Sequence, residues 1–400
     1  MEGWIDARAP AAGWRLWGMS LVERQLREMA RLGLCRATVL VGPDPAAREL
    51  REDFARLYDL EVFFVSEGEP VGAAAGWLVL EGDAVYDERV LQHLVGAEGA
   101  CAVVGEEAAA LRLGPGDGPG TRGVAGLLEG GGLPRVPLES LGAYVAELRL
   151  TMPAFVRRIR QRDELREVDR LMYRRTFKGV IDAVARYGYF DLVRWLTRHA
   201  SRTGLTPNFL TLLSVAGIWA AVPCFAAGLY GWGAAAAWAG VLLDSVDGKL
   251  ARLRLHLSDA MGAFEHISAM PGLGLWFVAV GWDLNGGGWD GPYSGLTAAM
   301  VGAFIADKML SGGFKKRHGR ELFDYRPVDA LFHLVACRRN ICLVFISLGA
   351  AAGQVPAAFA LMVGWMLATL AFHAARFAWV EVAGGAPAGD PQGEAGSERI

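Results

Sequence analysis

Hydrophobic and polar positions follow two different rhythms along the 400 residues, and the change comes near residue 205. Over Met19–Leu32 apolar residues recur at helical spacing with charges opposite, which predicts an amphipathic helix. Ala37-Thr-Val-Leu-Val-Gly42, Val62-Phe-Phe-Val65 and Trp77-Leu-Val-Leu-Glu-Gly-Asp83 are short apolar runs that predict buried strands. Strands interleaved with helices in this βαβ rhythm predict a parallel sheet over residues 1–150, with any ligand at the carboxyl ends of its strands. Residues 114–133 are glycine-rich and predict a loop.

Residues 151–205 predict a linker. Val156 to Lys178 is basic, carrying Arg157, Arg158, Arg160, Arg162, Arg174 and Arg175, and suits either an anionic membrane surface or a solvated helix face. Asp182 to Arg198 is amphipathic and predicts a helix lying along a membrane interface. From Asn208 the apolar runs lengthen. Six candidate spans fall at 208–230, 232–250, 262–282, 295–312, 340–354 and 356–378, each near the ~20 residues a bilayer needs. The fifth is short, and Pro271 with nearby glycines interrupts the third. Connections on one side hold Asp283 and Asp290 but no Lys or Arg. Those on the other side hold Arg252, Arg254, Lys315, Lys316, Arg317, Arg320, Arg326, Arg338 and Arg339. This bias predicts an even number of spans, with the N-terminal half and the basic connections cytoplasmic. Residues 383–400 predict a disordered tail.

Composition agrees with a soluble part joined to a membrane part. The hydrophobic share of 53% is high for a soluble enzyme, and the charged share of 21% is high for a purely membrane-embedded chain. A net charge of −3 gives no sign of a nucleic-acid partner. Cys35, Cys101, Cys224, Cys337 and Cys342 lack ligand-like spacing and read as reduced thiols. The N-terminus lacks a basic leader followed by an apolar core, so no cleaved signal is expected.

Candidate chemistry sits at the end of the second apolar run, in Asp244-Ser-Val-Asp247-Gly248-Lys-Leu-Ala251-Arg252. Carboxylates at i and i+3 share a helix face, a geometry suited to a divalent cation. An ionisable pair at membrane depth is a candidate functional site. The alternative is a helix that ends at Leu243 and leaves a solvated acidic turn. On the topology above, Glu265 begins the third span on the same side, where Asp244, Asp247 and Glu265 can converge. Arg252 and Arg254 stand at the same mouth.

The pattern Asp244-x-x-Asp247-Gly248-x-x-Ala251-Arg252 resembles the first half of the CDP-alcohol phosphotransferase signature, D-x-x-D-G-x-x-A-R, eight residues, then G-x-x-x-D-x-x-x-D. Thr206-Pro207-Asn208 with Thr211 resembles the opening of that family's membrane domain. Arg338-Arg339-Asn340 and His373 to Arg376 look like segments of one bacterial branch. The likeness covers about residues 204–380. It implies an all-α, six-helix transmembrane domain over 206–382 that transfers a phosphoalcohol from a CDP-alcohol to an acceptor hydroxyl, releasing CMP, in lipid biosynthesis. It implies Mg²⁺ or Mn²⁺ on Asp244, Asp247 and Glu265, with CDP against Asp247, Gly248, Ala251 and Arg252. By analogy it also implies a homodimer through the membrane domain. A pyrophosphate needs such cations, because negative charge grows on the leaving phosphate.

The second half of the signature departs from the pattern. Counting from Arg252 places Met261 at the glycine, Glu265 at the third acid and Ala269 at the fourth, the family's expected base. Inserting one residue recovers Gly262 but brings His266 and Met270 to the acids. Asp259, His266 or Ser268 would have to supply a base, and Asp259 and His266 are the catalytic candidates. A catalytically impaired CDP-lipid-binding protein or regulatory subunit is the alternative. A transporter is disfavoured because no internal repeat is visible.

The first 150 residues resemble, more weakly, a sugar-phosphate nucleotidyltransferase. Gly18-Met-Ser-Leu21-Val-Glu23-Arg24-Gln25 looks like its helix start, and Glu81-Gly82-Asp83 looks like its strand-end metal acid. Ala11-Ala12-Gly13-Trp-Arg15 lacks the glycine pattern of a triphosphate loop. A degenerate structural or regulatory domain of α/β, Rossmann-type fold is therefore expected.

Overall fold

The computed structural model describes residues 1–42, 60–69, 71–105, 108–116, 119–130, 132–145, 150–177, 179–256 and 259–383. The tail expected beyond Ala383 lies outside them. The chain forms two compact units. The first comprises Met1–Ala146, Thr151–Thr176 and Arg252–Leu255, and the second comprises Glu147–Leu150, Phe177–Ala251 and His256–Ile400.

The first unit is built on a seven-stranded sheet: β1 (Glu2–Ala7), β2 (Arg36–Val41), β3 (Glu61–Val65), β4 (Trp77–Glu81), β5 (Cys101–Val104), β6 (Ala109–Leu113) and β7 (Arg135–Val136). Their spatial order is β7-β5-β6-β4-β1-β2-β3. β1 lies parallel to both β2 and β4, with Ile5 opposite Val39 on one side and Leu80 on the other. The order therefore reverses at β1, which puts the carboxyl ends of β1 and β4 at the switch point of the sheet.

The expected parallel sheet is in fact mixed, since β6 is antiparallel to both β4 and β5. The short connection from Val104 to Ala109, closed by Gly105 N–H donating to the Ala108 carbonyl at 2.8 Å, permits only a hairpin; a parallel return needs a crossover of a dozen residues or more.

Helix α1 (Leu21–Arg31) starts where the Ser20 hydroxyl accepts from the Glu23 N–H. Leu21, Val22, Leu26 and Met29 on its inner face are fully buried, each contributing roughly 1.5–3 kcal/mol of burial. Helix α2 (Glu88–Gly96) is capped by Asp87. The glycine-rich stretch expected as loop contains helix α3 (Gly123–Glu129). Val124, Leu127 and Leu128 pack against Trp4, Trp77 and Leu111 there, so tertiary burial overrides the glycines. Helix α4 (Arg162–Arg174) lies at the end of this unit's Thr151–Thr176 segment.

The second unit is helical. The amphipathic helix expected at 182–198 is divided into a π-helical turn, Val184–Gly188, and helix α5 (Phe190–Arg202). Gly188 is a weak helix former, and Tyr189 breaks the helical dihedrals at φ −134°. Then follow α6 (Pro207–Ala226), α7 (Tyr230–Leu253), α8 (Asp259–Leu284), α9 (Ser294–His318), the short α10 (Pro327–His333), α11 (Arg339–Ala351) and α12 (Val355–Ala383).

Among the described residues three helical stretches are long and apolar enough to cross a membrane: Pro207–Ala226, Ala260–Leu284 and Val355–Val382, and Arg339–Ala351 is a shorter apolar helix. α7 and α9 fall outside that group. α8 runs unbroken through Pro271. Indole donors brace it against α6: Trp276 Nε1 donates to the Ile218 carbonyl at 2.8 Å and Trp219 Nε1 to the Ser268 carbonyl at 3.0 Å.

Candidate active site

α7 does not stop at Leu243, so the acidic stretch is helical throughout. Asp244 and Asp247 lie on one face of it. Asp247 is only 2% exposed. Gly248 and Ala251 follow, and Arg252 lies on the last turn. The solvated-turn alternative is thereby removed.

The position of Asp244 is set one turn earlier, where α6 and α7 cross at glycines. A side chain on Gly240 would meet the Ile218 nitrogen and the Ser214 carbonyl, both at 2.9 Å, and one on Gly217 would meet the Gly240 Cα at 3.0 Å. Ser214 Oγ donates to the Gly240 carbonyl at 2.9 Å. Small residues let the two backbones touch, as in membrane helix pairs. α6 is itself fixed by the Thr206-Pro207 start, where the Thr206 hydroxyl accepts from Phe209 N–H and Thr211 Oγ1 donates to the Pro207 carbonyl. In this motif Thr206 and Pro207 start the helix as its cap and first residue, and Thr211 bonds back to the first turn.

Asp244 has two partners. Arg339 Nη2 donates to its Oδ2 at 2.5 Å, and Glu265 of α8 shares a hydrogen bond with it. Two carboxyl groups in such contact repel unless a proton or a cation lies between them. Asp244 and Glu265, predicted to converge, are thus brought together, and the charge of Asp247 is felt at Glu265. Among the described residues, however, no group of three or more histidines, cysteines, aspartates or glutamates is gathered closely enough to hold a metal ion. The Asp259 and His266 side chains lie outside the described residues. Ala269 packs against the apolar core of the helices.

Arg339 opens α11, and its neighbours tie that helix start to the rest of the unit. Asn340 Nδ2 donates to Asp182 Oδ2 at 2.7 Å and to the Tyr189 hydroxyl at 2.8 Å. Burial, reinforced by Asp182, pushes the Tyr189 hydroxyl up to about 12, and that hydroxyl also pairs with Ser245, between the two aspartates of α7. Arg338 hydrogen-bonds His333. Burial first, then the Arg338 cation, lowers His333 to about 2, so its ring is neutral and accepts from Arg338. Deeper in the helices His373 pairs with Asp307 at 2.6 Å, and Arg376 takes Asp329 in a two-pronged contact at 2.5 and 2.9 Å.

Sequence reasoning gave Asp182, Tyr189, Asp307 and Asp329 no role. The available signal was the rule that pointed to Asp244: an ionisable residue within an apolar run requires a partner. A separate cavity of about 630 Å³ is lined by Tyr230, Ala234, Leu284, Ser347 and Val355. It lies near the start of α7, some 21 Å along the helix from Asp244, and its lining offers no carboxylate.

Residues 204–265, which contain every element of the site up to Glu265, match the CDP-alcohol phosphatidyltransferase family model. The family match covers this segment of the chain. Among solved structures it is similar to phosphatidylinositol phosphate synthase PgsA1 of Mycobacterium tuberculosis with CDP-DAG bound, at 19% identity and TM-score 0.38, covering 47% of this chain and 94% of that one. The same enzyme in complex with manganese and citrate gives 19% identity and TM-score 0.36, covering 46% and 88%. HddC from Yersinia pseudotuberculosis gives 11% identity and TM-score 0.29, covering 42% and 98%. No curated protein matches the chain.

Proposed function

We propose that the protein is an integral-membrane transferase that moves a phosphoalcohol group from a CDP-alcohol to an acceptor hydroxyl and releases CMP. The observation that carries this reading is the half-buried meeting of Asp244 with Glu265, one turn from buried Asp247, inside the segment that matches the family. Hard oxygen donors of this kind suit Mg²⁺ or Mn²⁺. Asp244, Asp247 and Glu265 would hold the ion, which when bound would neutralise the pyrophosphate as it cleaves. Arg339 is the counter-ion of Asp244. Gly248 and Ala251 leave the face of α7 low enough for a nucleotide to approach, and Arg252 would pair with its phosphate.

The acceptor hydroxyl must lose a proton. Asp259 and His266, both on α8, are the residues proposed for this step. In this reading α6, α7, α8, α9, α11 and α12 are six spans, with the acids at the cytoplasmic side. That orientation is supported by the lysines and arginines of the connections. The protein would act as a homodimer through these helices.

A second reading has its own observation. Ala269, in place of the fourth acid, packs into apolar core, which favours a CDP-lipid-binding protein with little or no turnover. The two readings separate in one experiment. Detergent-solubilised protein is given CDP-alcohols, a panel of hydroxyl acceptors and Mg²⁺ or Mn²⁺, and CMP is measured. The transferase reading expects CMP that disappears with EDTA and falls by at least about a hundredfold in Asp247→Ala, the order of effect of losing metal-based charge stabilisation. CDP-lipid binding without CMP release on any acceptor would establish the second reading instead.

A further inference from the structure

The turn Glu81-Gly82-Asp83 closes β4 at the switch point of the sheet, and the nucleotidyltransferase likeness would make it a metal-binding turn. Its surroundings do not fit a metal. Arg158 Nη1 lies 2.8 Å from Glu81 Oε1, and Arg158 Nε donates to Asp83 Oδ2 at 2.9 Å. The other Glu81 oxygen accepts from the Ala109 N–H at 3.2 Å. Beside them, at the end of β1, Asp6 is gripped by Arg8 through Nε at 2.9 Å and Nη2 at 2.7 Å. Each carboxylate at these strand ends therefore already has a guanidinium. Glu81 and Asp83 are 7% and 3% exposed, so these pairs are shielded from water.

Arg158 is not a loosely placed surface side chain. It arrives on the strand Val156–Arg158, which pairs antiparallel with Ala84–Tyr86, and the next residue, Ile159, donates its N–H to the Asp83 carbonyl at 2.8 Å. Gln25 of α1 holds the acidic turn from the other side, its Nε2 donating to the Glu81 and Ala84 carbonyls at 2.8 Å each. Beyond helix α4, at its C-terminal end, Arg175 Nη1 binds Asp87 at 2.5 Å. The remaining space is also taken up. A Cβ on Gly82 would stand 2.8 Å from the Asp6 carbonyl, and one on Gly123 would stand 2.9 Å from Asp6 Oδ2. A divalent ion entering here would have to displace two charge-assisted hydrogen bonds and then sit beside the displaced guanidinium.

We infer that Arg158 stands where the strand-end metal of a nucleotidyltransferase would be, so that the α/β unit is metal-independent and its acids fix the strap Val156–Arg158. The test counts bound Mn²⁺ by electron paramagnetic resonance on the full chain in detergent. The background is Asp244→Asn/Asp247→Asn, which removes the two aspartates proposed to hold the ion in the helical unit. Adding Asp83→Asn to that background is expected to leave the Mn²⁺ count unchanged. Adding Arg158→Gln instead is expected to create about one new Mn²⁺ site per chain, lost again when Asp83→Asn is combined with it.

A count that falls with Asp83→Asn alone, or a folded Arg158→Gln chain that gains no Mn²⁺, overturns the inference. If Arg158→Gln does not fold, the Asp83→Asn comparison in chains that keep Arg158 decides it. Because the background already lacks the two aspartates of the proposed transferase site, the outcome does not depend on whether the protein is a transferase.

Discussion

A charge inside an apolar unit persists only with a partner, and in the helical unit the partners come from different helices. Asp244 of α7 takes Arg339 of α11, Asp307 of α9 takes His373 of α12, and Asp329 of α10 takes Arg376 of α12. The acids Asp244 and Asp247 were legible in the sequence because their spacing defines a helix face. Arg339 was visible as a basic residue near a membrane boundary and as part of the Arg338-Arg339-Asn340 segment, but not as the partner of Asp244, since that pairing with a residue 95 positions away is a product of packing.

His333 makes the residue scale testable. Its folded-state value near 2 lies well below the ordinary 6.5. As pH falls through about 6.5 the unfolded chain takes up a proton that the folded chain refuses. Its contribution is therefore fully present above that pH and lost below it, by at most about 1.4 kcal/mol per pH unit. Wild type should lose more thermal stability between pH 7.5 and pH 5 than His333→Gln, which keeps an acceptor for Arg338 without titrating. Equal losses in both would show that the ring does not stay neutral.

At the scale of elements, the sequence located three of the seven strands of the first unit's sheet, β2, β3 and β4, and the long helices of the second unit. It missed features decided by contact. The hairpin of β5 and β6 follows from a short connection, α3 from the burial of three apolar residues, and the continuity of α8 past Pro271 from neighbours that brace it. The crossing of α6 and α7 is another contact feature, hidden in an apolar run rich in alanine and glycine. Gly240→Val should force the helices apart, costing about 1–3 kcal/mol as overpacking does, and should lower any CMP release because Asp244 lies one turn on. Gly231→Ala, on the same helix with nothing within 4 Å of the added Cβ, is the matched control. If both variants melt like wild type, the close crossing does not set the position of α7.

For the molecule as a whole, the open question is whether a half-kept signature still turns over, and Ala269 is where it can be asked. Position 269 is four residues from Glu265, so a side chain there shares its helix face. Wild type lacks a carboxylate at this point, and on the transferase reading Asp259 or His266 is the proposed base, so slow CMP release is expected. Ala269→Asp should raise that rate by about a hundredfold or more, the usual contribution of a well-placed general base. It should also lower the melting temperature, because a charge is being placed against apolar core. Ala269→Asn introduces a side chain of nearly the same size and polarity without a base. It should share the loss of stability and show no gain in rate. A gain in Asp and none in Asn assigns the missing chemistry to the fourth acid. A wild-type rate that Ala269→Asp leaves unchanged, and that Asp259→Asn or His266→Gln abolishes, would show that the chain has moved its base along α8.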